Sequence, residues 1–494
     1  MVEDGATRID TSSSTRILAK PDETLEEHTL KAIQWFNKYL RWRSGRLLRI
    51  ARAIKIEPEE LESRLLATCY LHDIGKTSRA FQAYDFGRGP QGRGIPHPIL
   101  SLPFVYAAVP DPLETGASKF CFEALTVMSH HTPFYDNLYR AGYRDLVIKK
   151  DHYHLREALE FYYKLPEAHR VALGFEFPFE LSEPSFEETV SSLLNRAGDF
   201  HRVPLQIRPV HSFFVAALKY ADWLASGDDP TYDYAAADTA ETLLDHLRGK
   251  YRESFKGWFQ FQREAQKRKG NIIINAPTGQ GKTEAALLWA SFNSLKGRVA
   301  YLLPARVSTN AMYERLKEAF KSGVGISHGT SALTIAEEEA WDEKAYKTRI
   351  LRSSTFMEPM TVATVDQLLL SLFNWRHWEL IEEAASDSAI IFDEIHAYDP
   401  YTTSLIILAS KDLENREARL AFMSATLPSY LRNFLMDKLN IKLLVSDKEH
   451  SGLRRHLIRF TSQPIQTAIG DVLRDFRSGK HVLIVLNTVE EAID

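Results

Sequence analysis

Cysteine is nearly absent from this chain: Cys69 and Cys121 are the only two in 494 residues. A secreted protein of this size would more often carry a disulfide framework, so the composition fits the reducing cytoplasm, and the two thiols read as packing residues. Long apolar runs are missing too. Nothing approaches the length of a membrane span, and residues 1–20 are polar and rich in Ser and Thr, with no apolar core of a signal peptide, which reads as a disordered start. Charge of one sign is also lacking, since the formal net charge is −4. A nucleic-acid partner would therefore be held by local patches rather than by an overall field. What remains is ordinary: 44% hydrophobic residues support globular cores, and the length supports about three domains.

The chain is organised around Asn275-Ala276-Pro277-Thr278-Gly279-Gln280-Gly281-Lys282-Thr283-Glu284, which follows the apolar run 272–274 and precedes the helix-forming residues 285–289. Gly279 and Gly281 permit a tight turn whose successive N–H groups point at phosphates. Lys282 adds a cation, and Thr283 adds a hydroxyl for Mg²⁺. A strict phosphate loop has Gly where this chain has Ala276.

Upstream, residues 24–54 and 62–70 carry apolar residues at helical spacing. In Leu71-His72-Asp73-Ile74-Gly75-Lys76, two adjacent metal-competent side chains end a helical pattern, with Lys76 four residues after His72. Taken alone, the pair is equally a capped helix end. Its company is His28, His97, the vicinal His130 and His131, and Asp222 in Tyr-Ala-Asp-Trp. Imidazoles and carboxylates in that number suit one or two divalent transition metals (Mn, Fe, Co or Ni), with Asp73 placed to bridge them. Such a site activates water and clamps the oxygens of a phosphodiester. The series Arg43, Arg46, Arg49, Arg52, Lys55 lies along one helical face. It reads either as a track for a phosphate backbone or as the solvated face of an amphipathic helix. Gly227-Asp228-Asp229-Pro230 breaks the helical pattern, which puts a domain boundary between there and Arg252.

Beyond residue 250 short strand-like runs alternate with helical ones, as in a parallel sheet. The runs 299–303, 361–364, 389–392 and 420–423 end on Arg306 and Asn310, on Thr364 and Asp366, on Asp393-Glu394-Ile395-His396, and on Ser424-Ala425-Thr426. In a doubly wound sheet the carboxyl ends of the strands line the ligand crevice, so these groups gather at the phosphate loop. Asp393 would hold Mg²⁺ against the nucleotide phosphates, and Glu394 would orient the attacking water. The run 481–488 reads as the first strand of a second such lobe.

The order His, His-Asp, further His, then Asp resembles the HD phosphohydrolase superfamily. By that resemblance His28, His72, Asp73 and Asp222 form one metal site and His97, His130 and His131 the second, with Asp73 and Lys76 catalytic. The later motifs resemble superfamily 2 helicases of the Asp-Glu-x-His kind, in which Ala276 is a common variant. There Gln262 reads the adenine and His396, Ser424, Ala425 and Thr426 couple hydrolysis to movement, while Arg306, Asn310, Thr364 and Asp366 face single-stranded nucleic acid. Both together resemble the signature nuclease-helicase of type I CRISPR systems. The implied fold is multidomain: an all-α HD domain over residues 21–235, a linker at 236–254, an α/β RecA-like lobe over 255–445, and a linker with the start of a second lobe over 446–494. The implied activity is cleavage of single-stranded DNA coupled to Mg-ATP hydrolysis, after recruitment by a guide-RNA surveillance complex. A second helicase lobe is not visible, which leads to the expectation of a fragment, or of a separate chain that supplies it, and of weak ATP turnover. Two rivals remain: an HD nucleotide phosphohydrolase with a regulatory ATP-binding lobe, and an ATP-driven nucleic-acid remodeller whose HD region is structural.

Overall fold

The computed structural model describes residues 16–83, 95–109, 112–115, 118–131, 143–198, 207–227, 239–294, 298–339, 342–445, 465–486, 488 and 490. The loop 87–94, the turn 228–230 and residues 446–464 lie outside them. Among the described residues no helix is long and apolar enough to cross a membrane.

The N-terminal half is helical with three two-stranded ribbons. Its first long helix, Leu25–Trp42, starts where it does because Thr24 and Glu27 form a capping box: Thr24 Oγ1 accepts from the Glu27 N–H at 3.2 Å and the Glu27 carboxylate accepts from the Thr24 N–H at 2.8 Å. That cap places His28 in the first turn. The helix packs against Pro58–Leu71 and the long Arg208–Gly227, with Phe36, Leu61, Leu66, Phe213 and Phe214 in one core. The disordered start expected for residues 1–20 does not hold for residues 16–20; residues 1–15 lie outside the described residues. Leu18–Lys20 pairs with Glu23–Thr24, and Leu18 exchanges backbone hydrogen bonds with the side-chain amide of Gln82.

The C-terminal half carries a seven-stranded, wholly parallel sheet in the order Ile441–Val445, Asn271–Asn275, Arg419–Ser424, Ala389–Phe392, Val299–Leu303, Met360–Thr364, Val324–Ser327. Its central strands are apolar at nearly every position because helices cover both faces. Val299, Tyr301 and Leu303 face one helical layer, and Ala300 and Leu302 the other.

Three expectations need correction. Residues 236–254 are not merely a linker: Thr239–Tyr251 is a helix whose Leu243 and Leu247, one turn apart, are buried in the core of the sheet half. The Arg43 series splits: Arg52 and Lys55 are exposed, as on a solvated face, but its first three members follow neither reading. Arg43 and Arg46 are buried against Glu383, and Arg49 pairs with Asp387, so the series joins the two halves of the chain. Residues 481–486 form no strand; Leu483 and Val485 are exposed. A single apolar run needs a neighbouring strand to satisfy its backbone, and none of the described strands pairs with it. Residues 447–494 form a separate unit, in which Ile465–Arg477 is helical.

The two halves meet on the short helix Trp378–Ala385, buried along its length. Arg43 Nε donates to Glu383 at 2.9 Å. Arg208 and Arg416 both pair with Glu382, which also accepts from Ser212 Oγ at 3.1 Å. Met357 and Leu380 from the sheet half complete the core of the helical half.

Candidate functional site

His72 and His130 each follow the last residue of a helix, Pro58–Leu71 and Phe122–Ser129. There each ring can turn Nδ1 back to the carbonyl three residues earlier: Cys69 at 2.7 Å for His72 and Val127 at 2.5 Å for His130. A proton fixed on Nδ1 leaves Nε2 as a bare lone pair, the arrangement that metal-binding histidines use. His28 Nδ1 lies 3.3 Å from Glu23 Oε2, a carboxylate version of the same device.

These free nitrogens converge on Asp73. Its Oδ2 lies 3.6 Å from His28 Nε2 and 3.3 Å from His72 Nε2, while its Oδ1 lies 3.2 Å from His97 Nε2 and 3.7 Å from His130 Nε2. Asp222 Oδ1 stands 3.1 Å from His28 Nε2. His131 joins His97, His130 and Asp73 in a group whose donor atoms all lie within 4.8 Å of one another; His28, His72 and Asp73 form a second such group. Lys76 Nζ holds Asp73 Oδ2 at 2.6 Å. The Nε2 atoms of His72, His97 and His130 and Asp73 Oδ1 are buried with no hydrogen-bond partner. Buried polar atoms left unpaired are costly, and three imidazole nitrogens gathered around one carboxylate, with one of its own oxygens also unpaired, fit a pair of cations as the missing partner. Burial alone would push the Asp73 carboxyl up, but His72 and Lys76 reverse this and hold it well below its usual range; the same pairing raises His72, whose Nε2 lone pair becomes free for a cation when the ring gives up that proton. Burial pulls His97 down to about 4. At neutral pH Asp73 and His97 are thus in their metal-binding forms.

Ser101, which the motifs did not single out, fastens the two sides of the cluster. Its Oγ accepts from the Gly75 N–H at 3.0 Å and lies 2.8 Å from the His72 carbonyl and 3.1 Å from that of His97. Gly75 is obligatory for the same reason: a Cβ there would sit 2.0 Å from the His97 carbonyl oxygen.

At the other site, Gly279 and Gly281 hold φ of 75° and 81°, and the helix Lys282–Asn293 starts directly after them. Ala276 is buried, and Pro277, Thr278 and Gln280 complete the loop. Gln262 is buried against this loop: its Nε2 donates to the Gly281 carbonyl at 3.1 Å, and its Oε1 accepts from the Phe259 N–H at 2.8 Å. Thr283 Oγ1 accepts from Arg315 at 3.3 Å. Asp393 ends its strand with Oδ1 accepting from the Glu394 N–H at 2.8 Å and Oδ2 from the Tyr301 hydroxyl at 2.7 Å. Burial raises its pKa above the usual carboxylate value. Glu394 has φ of 49°, a left-handed backbone that costs a non-glycine residue on the order of 1 kcal/mol. The turn brings its carboxylate 3.3 Å from His396 Nδ1, which is also 2.8 Å from Ser424 Oγ. Ser424 in turn bonds both the N–H and the carbonyl of Thr426, across Ala425.

Of the four residues expected to face nucleic acid, Arg306 and Asp366 are exposed and Asn310 is half-buried, accepting from His328 Nε2 at 2.8 Å. Thr364 differs: it is 4% exposed, its side chain turned inward where the strand Met360–Thr364 passes into a helix. Tyr301 and Arg315 were not singled out either. The signal for Tyr301 is a lone hydroxyl in the apolar strand Val299–Leu303.

A family model for the Cas3 HD domain matches residues 23–230, and one for the DEAD/DEAH box helicase matches residues 260–434. The putative CRISPR-associated nuclease/helicase Cas3 of Methanocaldococcus jannaschii is 27% identical over 474 residues, covering 85% of this chain and 63% of that protein. The CRISPR-associated endonuclease/helicase Cas3 of Escherichia coli is 26% identical over 273 residues, covering 45% of this chain and 31% of the relative. The crystal structure of T. fusca Cas3-ADP aligns with a TM-score of 0.52 at 20% identity, over 86% of this chain and 51% of that one, a likeness of fold. This chain thus spans less than two thirds of the length of each of these relatives. An HD half built around Asp73 and a helicase half built around the 276–283 loop, each matched by its own model, thus stand in the same order as in the Cas3 nuclease/helicases that this chain is similar to: residues 23–230 are a Cas3-type HD domain and residues 260–434 a DEAD/DEAH box helicase domain.

Proposed function

We propose that the helical half is a metal-dependent nuclease that cuts single-stranded DNA, and that the sheet half binds Mg-ATP as the first lobe of the helicase that feeds it. The observation that carries this is the convergence of three unpaired buried imidazole nitrogens on Asp73, whose own Oδ1 is also unpaired. His28, His72 and Asp222 would hold one divalent ion and His97, His130 and His131 the other, with Asp73 between. Bound there, such ions supply an activated water and a clamp for the oxygens of a phosphodiester. The protein groups do the rest. Lys76 keeps the Asp73 carboxylate turned and charged, and half-buried His97 and exposed His131 mark the side from which a substrate enters. Four or more imidazoles favour Mn²⁺, Fe²⁺, Co²⁺ or Ni²⁺ over Mg²⁺, which prefers oxygen.

In the nucleotide site, Lys282 and the loop N–H groups would bind phosphates, Glu394 would orient water, and the Glu394–His396–Ser424 chain would report hydrolysis to the Ser424-Ala425-Thr426 segment. Gln262 would read the adenine from its place beside Gly281. By likeness to these relatives, the setting we infer is cytoplasmic type I CRISPR interference, with recruitment by a guide-RNA surveillance complex.

The test is cleavage of labelled single- and double-stranded DNA by metal-loaded protein, across a metal series and without ATP, with free nucleotides as competing substrates. Single strands should be cut fastest, with the transition metals, and Asp73→Ala should abolish cleavage while ATP binding persists. Full activity on blunt duplex with Mg²⁺ alone, or hydrolysis of nucleotides in place of DNA, would overturn the reading.

A further inference from the structure

Tyr301 lies in the middle of the strand Val299–Leu303, fully buried, on the face covered by the helix that carries Lys282 and Thr283. It stands in register with Ile391, two residues before Asp393. From there its hydroxyl donates to Asp393 Oδ2 at 2.7 Å. Thr283 Oγ1 accepts from Arg315, whose guanidinium also pairs with Glu284. Tyr301 and Arg315 thus each hold one of the two side chains, Asp393 and Thr283, that offer oxygen to a nucleotide's cation. Both oxygens are hard donors of the kind that suits Mg²⁺.

We propose that Tyr301 is a positioning residue for the Mg²⁺ that accompanies the nucleotide: its hydroxyl fixes the rotation of the Asp393 carboxylate before the cation arrives. This rests on the nucleotide-binding reading given above. The Glu394 N–H pins Asp393 Oδ1. Without the phenol the other oxygen loses the hydrogen bond that holds it, and the carboxylate can rotate. Phenylalanine keeps the ring and its packing but removes the hydroxyl.

The experiment titrates binding of a fluorescent ATP analogue with Mg²⁺, for wild type, Tyr301→Phe, Asp393→Asn, the double variant and Lys282→Ala, with thermal unfolding as a check on folding. Tyr301→Phe should bind the analogue as wild type does in the absence of Mg²⁺ but need about 10-fold more Mg²⁺ to tighten it, the size typical of a lost outer-sphere contact. In the Asp393→Asn background the same substitution should add little, which a general packing defect would not reproduce. A wild-type Mg²⁺ midpoint in Tyr301→Phe, or an equal shift in the Asp393→Asn background, overturns the role of Tyr301 and leaves the nucleotide site standing. Unchanged binding in Lys282→Ala, or no binding by wild type, overturns the site itself and the Tyr301 assignment with it.

Discussion

His211 is fully buried between the two halves of the chain, its ring 5.9 Å from that of Trp378, and His377 packs edge-on against Trp223. Burial, with the charges of Lys219 and Arg208, pulls His211 down to about 3; burial, with Lys219 and Arg376, pulls His377 down to about 4. Both stay neutral in the folded protein while the unfolded chain takes up protons below about 6.5. The stability they allow is therefore complete above that pH and is lost as pH falls from 6.5 toward 4. Fully buried His211 should contribute up to about 1.4 kcal/mol per pH unit. Thermal unfolding between pH 7 and pH 4 should show this decline, and His211→Gln should flatten it. A second expectation concerns Ser101: Ser101→Ala should weaken metal binding roughly 10- to 100-fold, measured as metal retained after dialysis, because the His72 and His97 segments lose their common fastener. Residues with distinctive chemistry were legible in the sequence. The His-Asp pair, the scattered histidines and the phosphate loop announce themselves by type and spacing. Ser101 and Tyr301 do not, because a serine or tyrosine acquires its role only from what the fold brings to its hydroxyl.

Among the elements, the helix Trp378–Ala385 departs most from its sequence. Glu379, Glu382 and Glu383 are acidic yet all three are buried, and arginines from three other segments reach Glu382 and Glu383. The arginine series at 43–49 was ambiguous for the matching reason: its partners lie more than 300 residues away in sequence. A buried ion pair is worth little against apolar replacements, but breaking it from one side strands a charge. Arg43→Ala should destabilise the protein by about 3–5 kcal/mol, seen as a lower midpoint in urea, whereas Arg43→Met with Glu383→Leu should recover most of the loss. The strands at 271–275, 299–303, 360–364, 389–392 and 419–424 were legible within about a residue, because a parallel strand covered on both faces is a short apolar block whatever its neighbours. The helix Thr239–Tyr251 was missed because most of it is polar. Leu247→Ala, which hollows its contact with the sheet half, should cost about 2–5 kcal/mol by the same measurement.

At the scale of the whole chain, the boundary drawn near residue 235 separates two chemistries but not two bodies. The helical half borrows Met357 and Leu380 for its core and buries Arg43, Arg46 and Arg208 against carboxylates of the sheet half. Expressed alone, residues 16–235 should be less soluble and unfold at a lower temperature than within the full chain, which light scattering and calorimetry would show. The same seam has a mechanical side. From His28 to Arg43 the first helix runs about 22 Å without a break, and from Glu383 only a few residues lead into the strand that ends at Asp393. A rigid rod and a short strand, bolted together at one buried arginine, thus make a ruler between the place where a strand would be cut and the place where fuel would be spent. If cutting follows pulling, the length of DNA lying between the two is a constant of the molecule, and successive cuts keep step with the stroke.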